Sequence, residues 1–390
     1  MKILITHPFS WPYVRRGSER FLVELARYLT DRGHEITVVT TKPNGDHDEV
    51  TQEDGVVWVR KPELRSRVLR WLKIRTEQTF FLQCLPFLVK QKFDLVYCLY
   101  FGDGCAANLA SFFTGTPYIV HFTGLPIRKH LLRRPLEYAM LKLAMSRAST
   151  VVVSSQAAAT AFKEGFRNRV TMLVPPSDVK RFQLTVGRDL ARPRILGVGA
   201  FNERRKGCRV LMSAFVQLKA IVPGAILQYS GFMPDDVRKE LLEMAGPEIA
   251  ADVEFLGVGN IDDLPRLYGQ AAVTVLPSLF DVIGLVLIES LASGTPVVGT
   301  RHGGIPEVIK DGIGCLFEPG SSEVEATNAQ GLCEAILKVL QSYSNPELPV
   351  RCRKSAENFG WDVVGPDYEA LFEEVVSSYG KLQDLPKTEA

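Results

Sequence analysis

The chain has 390 residues, 46% of them hydrophobic and 23% charged, with a formal net charge of +2. That is globular composition with material for about two to three domains, and it excludes a disordered chain, a collagen-like fibre and a small stapled scaffold. Seven scattered cysteines without a C-x-x-C pair read as small buried hydrophobes of a reducing compartment, not as a disulfide framework or zinc site.

The start, MKILITHPFSW, reads as a first strand rather than a signal peptide, because its apolar run is short and broken by His7 and Pro8. No window approaches ~18 uninterrupted apolar residues, so no membrane span is expected and the expected location is the cytoplasm. After the strand Ile3–Thr6, Ser18 is a candidate N-cap for a helix carrying Phe21, Leu22, Leu25 and Leu29, which Gly33 ends. Ile36–Thr40, Val56–Val59, Leu95–Tyr100, Tyr118–His121, Val151–Ser154 and Val170–Val174 repeat the strand signal, with amphipathic stretches between several of them. Strands separated by helix-length crossovers imply a parallel sheet covered on both faces.

Pro175-Pro176-Ser177-Asp178 and the weakly patterned stretch to Pro193 read as a linker. The pattern then restarts at Ile195–Val198, Ile226–Tyr229, Val253–Leu256, Val273–Leu276, Pro296–Val298 and Cys315–Phe317. The expectation is an α/β protein of two doubly wound, Rossmann-like domains facing across a cleft. The first spans residues 1–185, the second 186–360, and a final helix and tail, 361–390, cross back onto the first domain. Charge divides along the same line. Residues 1–185 hold 27 Lys and Arg against 16 Asp and Glu, and residues 186–390 hold 19 against 28.

The densest chemical signal runs from Pro277 to Glu307, PSLFDVIGLVLIESLASGTPVVGTRHGGIPE. A strand ends at Pro277, a loop carries Asp281, and Gly284-Leu285 opens a helix bearing Glu289. Carboxylates suit sugar or ribose hydroxyls, and an acid in so apolar a helix needs a partner. Gly303 and Gly304 permit positive φ and close approach of a ligand to the backbone, at a helix start whose amides favour anions. Arg204-Arg205-Lys206-Gly207, after the first strand of the second half, places three cations at a strand-to-helix turn where a diphosphate could be held.

These segments resemble glycosyltransferase family 4, whose retaining, nucleotide-sugar-dependent members have the GT-B fold. The family motif E-P-F-G-L-V-x-x-E-A-M-A-C-G-T-P-V-V is matched by D-V-I-G-L-V-L-I-E-S-L-A-S-G-T-P-V-V, followed by G-G-I-P-E-V-I. Gly17-Ser18-Glu19-Arg20, Arg32-Gly33-His34-Glu35 and Gly360-Trp361 extend the resemblance to nearly the whole chain. The resemblance implies that Glu289 binds the ribose and Asp281 the donor sugar, with Gly284 and Leu285 nearby. It also implies that Lys206 and Arg205 hold the leaving diphosphate in a pocket shaped by Gly303 and Gly304, and that Gly17 approaches the phosphates from the other domain. Three positions depart from the pattern: Asp281 replaces a Glu, Ala200 replaces an Arg that Arg204 or Arg205 would supply, and Thr123-Gly124 replaces a His-Gly. His121, two residues before Thr123, is either a catalytic strand-end residue lining the cleft or a core histidine.

The implied chemistry is retaining transfer of a sugar from a nucleotide-sugar to an acceptor hydroxyl, with no metal site and no cofactor beyond the co-substrate. The expected acceptor is a glycan, lipid-linked or phosphorylated. Arg60 to Arg75, RKPELRSRVLRWLKIR, and the cluster Arg128-Lys129-His130 with Arg133-Arg134 are candidates for docking peripherally on an anionic membrane surface. Nucleic acid is not expected as a partner, since no binding motif accompanies the cations. A nucleotide-sugar epimerase of the same fold and an inactive nucleotide-sugar-binding protein are the alternatives.

Overall fold

The computed structural model describes residues 1–14, 16–43, 47–64, 67, 71, 74–185 and 188–383. They form two compact units, Met1–Pro176 with the chain from Val364 onward, and Ser177–Val363.

The first unit holds strands β1 (Lys2–Thr6), β2 (Glu35–Lys42), β3 (Glu49–Glu53), β4 (Val56–Pro62), β5 (Leu95–Cys98), β6 (Tyr118–Phe122), β7 (Thr150–Val153) and β8 (Val170–Met172). Their order across the sheet is β3-β4-β2-β1-β5-β6-β7-β8, parallel throughout except where β3 runs antiparallel to β4. The helices are α1 (Gly17–Asp31), α2 (Thr76–Lys90), α3 (Phe101–Thr114), α4 (Arg128–Leu132), α5 (Pro135–Met145) and α6 (Gln156–Gly165). Strand β3 escapes a hydrophobicity reading because EVTQE is polar and lies at the sheet edge. Asp54 and Gly55, both at positive φ, make the two-residue turn that folds it back onto β4. Helix α1 starts one residue before the expected cap: Arg16 is the N-cap, and the Ser18 hydroxyl donates to Glu19 (3.1 Å).

The second unit holds β9 (Arg194–Val198), β10 (Ile226–Ser230), β11 (Val253–Gly257), β12 (Val273–Leu276), β13 (Val297–Thr300) and β14 (Gly314–Phe317), all parallel, in the order β11-β10-β9-β12-β13-β14. Its helices are α7 (Cys208–Lys219), α8 (Asp235–Ala250), α9 (Leu264–Gln270), α10 (Leu285–Ala292), α11 (Ile305–Val308), α12 (Ala329–Gln341) and α13 (Leu348–Glu357). The strand order reverses between β9 and β12, and ligands of open parallel sheets gather beyond the strand ends at such a point.

The division between the units falls after Pro176, nine residues before the expected boundary. The Ser177 amide donates to the Phe359 carbonyl (2.9 Å). The Arg188 guanidinium binds the carbonyls of Ala271 (2.8 Å), Thr185 (2.7 Å) and Ser293 (3.0 Å). Polar sewing, together with the buried Val179 and Phe182, ties this stretch to the second unit. The last helix, α14 (Trp361–Gln383), leaves the second unit and packs on the first. There the Phe372 ring lies 4.9 Å from Tyr97, and Glu369 lies 3.0 Å from the His34 ring.

The cysteines are free; Cys315 is partly exposed and the other six are buried. Much of Arg60–Arg75 lies outside the described residues, and its first two cations are not surface charges awaiting a partner. Arg60 is buried and bound by Glu53 (2.9 Å) and Thr51 (2.7 Å), while Lys61 pairs with Asp48. Glu53 of β3 and Asp48 just before it are the acids that a reading confined to 60–75 misses.

Candidate functional site

The candidate site is built where β9 and β12 end side by side. Beyond β9 the chain turns at Gly199, whose amide donates to the Ser230 carbonyl (3.0 Å). Arg204–Lys206 form one 3-10 turn, and Gly207, at φ +69°, caps α7. A Cβ on Gly207 would stand 2.3 Å from the Pro277 carbonyl oxygen, so only glycine lets this loop press against the end of β12. The Leu279 amide then donates to the Arg205 carbonyl (2.8 Å), joining the two loops through their backbones.

That joint delivers the charged cluster. Lys206 Nζ donates to both Asp281 oxygens at 2.8 and 2.9 Å, and Arg205 Nη1 donates to Oδ1 at 3.0 Å. Burial alone would raise the Asp281 carboxyl; the charges of Lys206 and Arg205 and the Lys206 hydrogen bonds outweigh it and hold it at about 2. Arg205 also binds Glu203 (2.7 Å). Arg204 turns to Glu325 instead (2.6 Å). Of the two arginines the sequence left open as replacements at Ala200, Arg205 therefore joins the cluster and Arg204 does not.

The β13–α11 loop closes on the same place. Gly304 N–H donates to the Asp281 carbonyl (3.1 Å), and Gly303 takes φ +61°. Phe280, itself at φ +65°, donates its amide to His302 Nδ1 (3.2 Å), and the two rings meet edge to face at 4.9 Å. Burial lowers the His302 pKa, which favours the neutral ring this acceptor role requires. Sequence reasoning gave neither residue a role, although His302 directly precedes the glycine pair.

Glu289 lies on α10, which Gly284 caps at φ +78°. A Cβ on Gly284 would fall 2.7 Å from a Leu276 methyl, so that glycine sets how closely α10 approaches β12. Leu285 begins the helix, and Glu289 is 1% exposed. Its Oε2 accepts a hydrogen bond from the Tyr268 hydroxyl (2.8 Å), the partner that a buried acid demands and that the sequence did not identify.

Gly17 and His121 belong to the first unit. Gly17 is exposed at the start of α1, beside Arg16, whose guanidinium binds Glu19 (2.7 Å). His121, a candidate catalytic residue in the sequence, is instead a core histidine. It is 1% exposed, with Tyr97 Oη 2.8 Å from Nδ1 and Ser154 Oγ 2.9 Å from Nε2. Burial pushes its pKa down to about 3.

Residues 16–177 match the family model described as glycosyl transferase 4-like domain, and residues 192–342 match glycosyl transferases group 1. An uncharacterized glycosyltransferase of Methanocaldococcus jannaschii is 27% identical over 208 residues, covering 51% of this chain and 50% of that protein. The chain spans about half the length of the curated relatives it matches. Among solved structures, sucrose-phosphate synthase from Thermosynechococcus elongatus is similar at TM-score 0.80 and 18% identity, covering 97% of this chain and 99% of that one. Anabaena HepE in complex with UDP and glucose is similar at TM-score 0.74 and 19% identity, covering 96% and 100%. At these identities the likeness establishes the fold, the paired Rossmann-like α/β domains of GT-B glycosyltransferases.

Proposed function

We propose that this chain is a retaining glycosyltransferase that moves a sugar from a nucleotide-sugar to an acceptor hydroxyl. The observation that carries the reading is the ion cluster of Lys206, Arg205 and Asp281 at the β9/β12 reversal of strand order. Departure of a nucleoside diphosphate concentrates negative charge on its terminal phosphate. Two preorganised cations beside the Gly303-Gly304 turn stabilise that charge as it forms, without waiting for solvent to reorganise. In this reading Lys206 and Arg205 receive the diphosphate, Asp281 orients them and accepts from the donor sugar, and Glu289, steadied by Tyr268, accepts from the ribose. The matches of both units to glycosyl transferase family models support the activity. The complex of HepE with UDP and glucose supports a nucleotide-sugar donor. The acceptor in this reading is a glycan carried on a lipid or bearing phosphate.

The test is a thermal-shift screen against UDP-, GDP- and ADP-sugars, followed by assay for released nucleoside diphosphate and glycosylated product. A donor at a hundredfold excess over its Kd stabilises the native state by about 2.7 kcal/mol. Lys206→Ala should slow release, and Asp281→Ala and Glu289→Ala should abolish transfer. No shift with any donor, or unchanged turnover in all three variants, would overturn the assignment.

A further inference from the structure

We propose that the outer surface of α2, α3 and α5 docks on an anionic lipid bilayer. The three helices form one layer on one face of the first sheet. Phe80 and Leu88 of α2, Ala106 of α3 and Ala144 of α5 share a core with Val96 and Val120 of β5 and β6. Helix α3 lies in the middle: a Cβ on Gly102 would meet the Glu77 carbonyl of α2 at 2.1 Å, and one on Gly104 would meet Ala144 of α5 at 2.9 Å.

A helix that covers a sheet needs one apolar face, yet this layer has apolar residues on its outer side as well. Leu82 and Val89, seven residues apart on α2, are 59% and 45% exposed. Leu136 and Leu143, seven apart on α5, are 55% and 43% exposed. At the end of α3, Phe112 and Phe113 are 61% and 80% exposed. Exposed apolar residues such as Val50 and Ile221 occur elsewhere on the chain and are ordinary, but here six lie on the outer side of one layer, turned from the sheet.

Charge selects the partner. Lys90, Lys92, Arg133, Lys142 and Arg147 are exposed on these helices and their flanks, and the Arg147 guanidinium lies 3.8 Å over the Phe112 ring. The acids at least partly exposed on these helices and their flanks are Glu77, Asp94 and Glu137, fewer than the cations, and Glu137 is bound by Arg134 (3.2 Å). Cations around apolar side chains match lipid phosphates above acyl chains. A second copy of the chain would set these cations against their own kind. Among the described residues no helix is long and apolar enough to cross a membrane, so the contact is with the bilayer surface. The surface belongs to the first unit and the ion cluster to the second, so docking and donor binding are read out independently.

The experiment is flotation of the full chain with phosphatidylcholine vesicles, with and without phosphatidylglycerol, at low and high salt. Recovery is expected only with the anionic vesicles, and high salt should release the protein. Phe112→Ser with Phe113→Ser should weaken partitioning by at least ~10-fold, since each buried ring contributes about that factor. Lys142→Glu with Arg147→Glu should weaken it by ~10-fold or more, at roughly fivefold per basic charge removed. Melting temperatures equal to that of the unaltered chain would show that both variants fold. Equal recovery with neutral vesicles, no recovery with anionic ones, or unchanged recovery in either folded variant would overturn the proposal. So would a dimer in solution that the Phe112/Phe113 variant dissociates, which would assign the surface to a second copy.

Discussion

The Tyr268 hydroxyl donates to Oε2 of Glu289 at 2.8 Å, and both side chains are closed off from solvent. A carboxylate in so apolar a helix is costly without such a donor, so the pair fixes where Glu289 points as well as lowering the cost of burying it. Tyr268→Phe keeps the ring and removes the donor. It should destabilise the chain by about 1.5–3 kcal/mol, the range for hydrogen bonds to charged groups, read as a lower urea midpoint with an unchanged m-value. If Glu289 binds the donor ribose, the same variant should raise KM for donor more than it lowers kcat.

Asp281 carries a pH signature. Its carboxyl is held at about 2 in the folded chain, against an ordinary value of 3.8. A depressed carboxyl contributes stability that is complete above the unfolded value and is lost as pH falls from about 4 toward 2. The shift corresponds to about 2 kcal/mol. Asp281→Asn should therefore be less stable than the unaltered chain at pH 6, and the gap should narrow in urea titrations as pH falls to 3. A gap independent of pH would mean that Lys206 and Arg205 do not hold the carboxylate as drawn.

Most of the strands were legible because buried parallel strands are short apolar runs between turn signals, whereas their order across each sheet came only from the fold. The loops of the ion cluster were legible for another reason: glycine is demanded where backbones touch, as at Gly207, and where φ is positive, as at Gly284, so the chemistry is punctuated locally. Partners that meet only in the fold were not. Tyr268 stands 21 residues before Glu289, and Phe280 stands 22 before His302. His121 could not be resolved from alternation, because on a strand buried on both faces the inward and outward positions are equally apolar. The polar strand β3 was missed although its Asp54-Gly55 turn is itself a hairpin signal.

Burial that pushes His121 down to about 3 disfavours the protonated ring in the folded state. The unfolded chain takes up a proton near 6.5, so stability declines as pH falls from about 6.5 toward 3, by up to ~1.4 kcal/mol per pH unit from this group. His7, also lowered by burial, adds in the same direction. His121→Gln should flatten that decline in urea titrations between pH 7 and pH 4.5. Because the ring is tied to Tyr97 and Ser154, the variant should also keep any sugar-transfer kcat within about tenfold, whereas a catalytic acid or base contributes 10²–10⁴-fold.

Gly207 offers the sharpest backbone test. Its φ of +69° costs an L side chain about 1–2 kcal/mol, and a Cβ would also stand 2.3 Å from the Pro277 oxygen. The clash cannot be relieved by a rotamer, because the atom it meets is backbone. The loop must instead lift from β12, carrying Lys206 and Arg205 away from Asp281. Gly207→Ala should therefore lose more stability than Tyr268→Phe and also weaken nucleotide-sugar binding in the thermal-shift screen, although it alters no charged group. Gly246 has a similar φ of +72° and open space around its Cβ position. Gly246→Ala should show only the conformational cost, with donor binding intact, and equal losses of donor binding in the two variants would break the link between loop contact and cation placement.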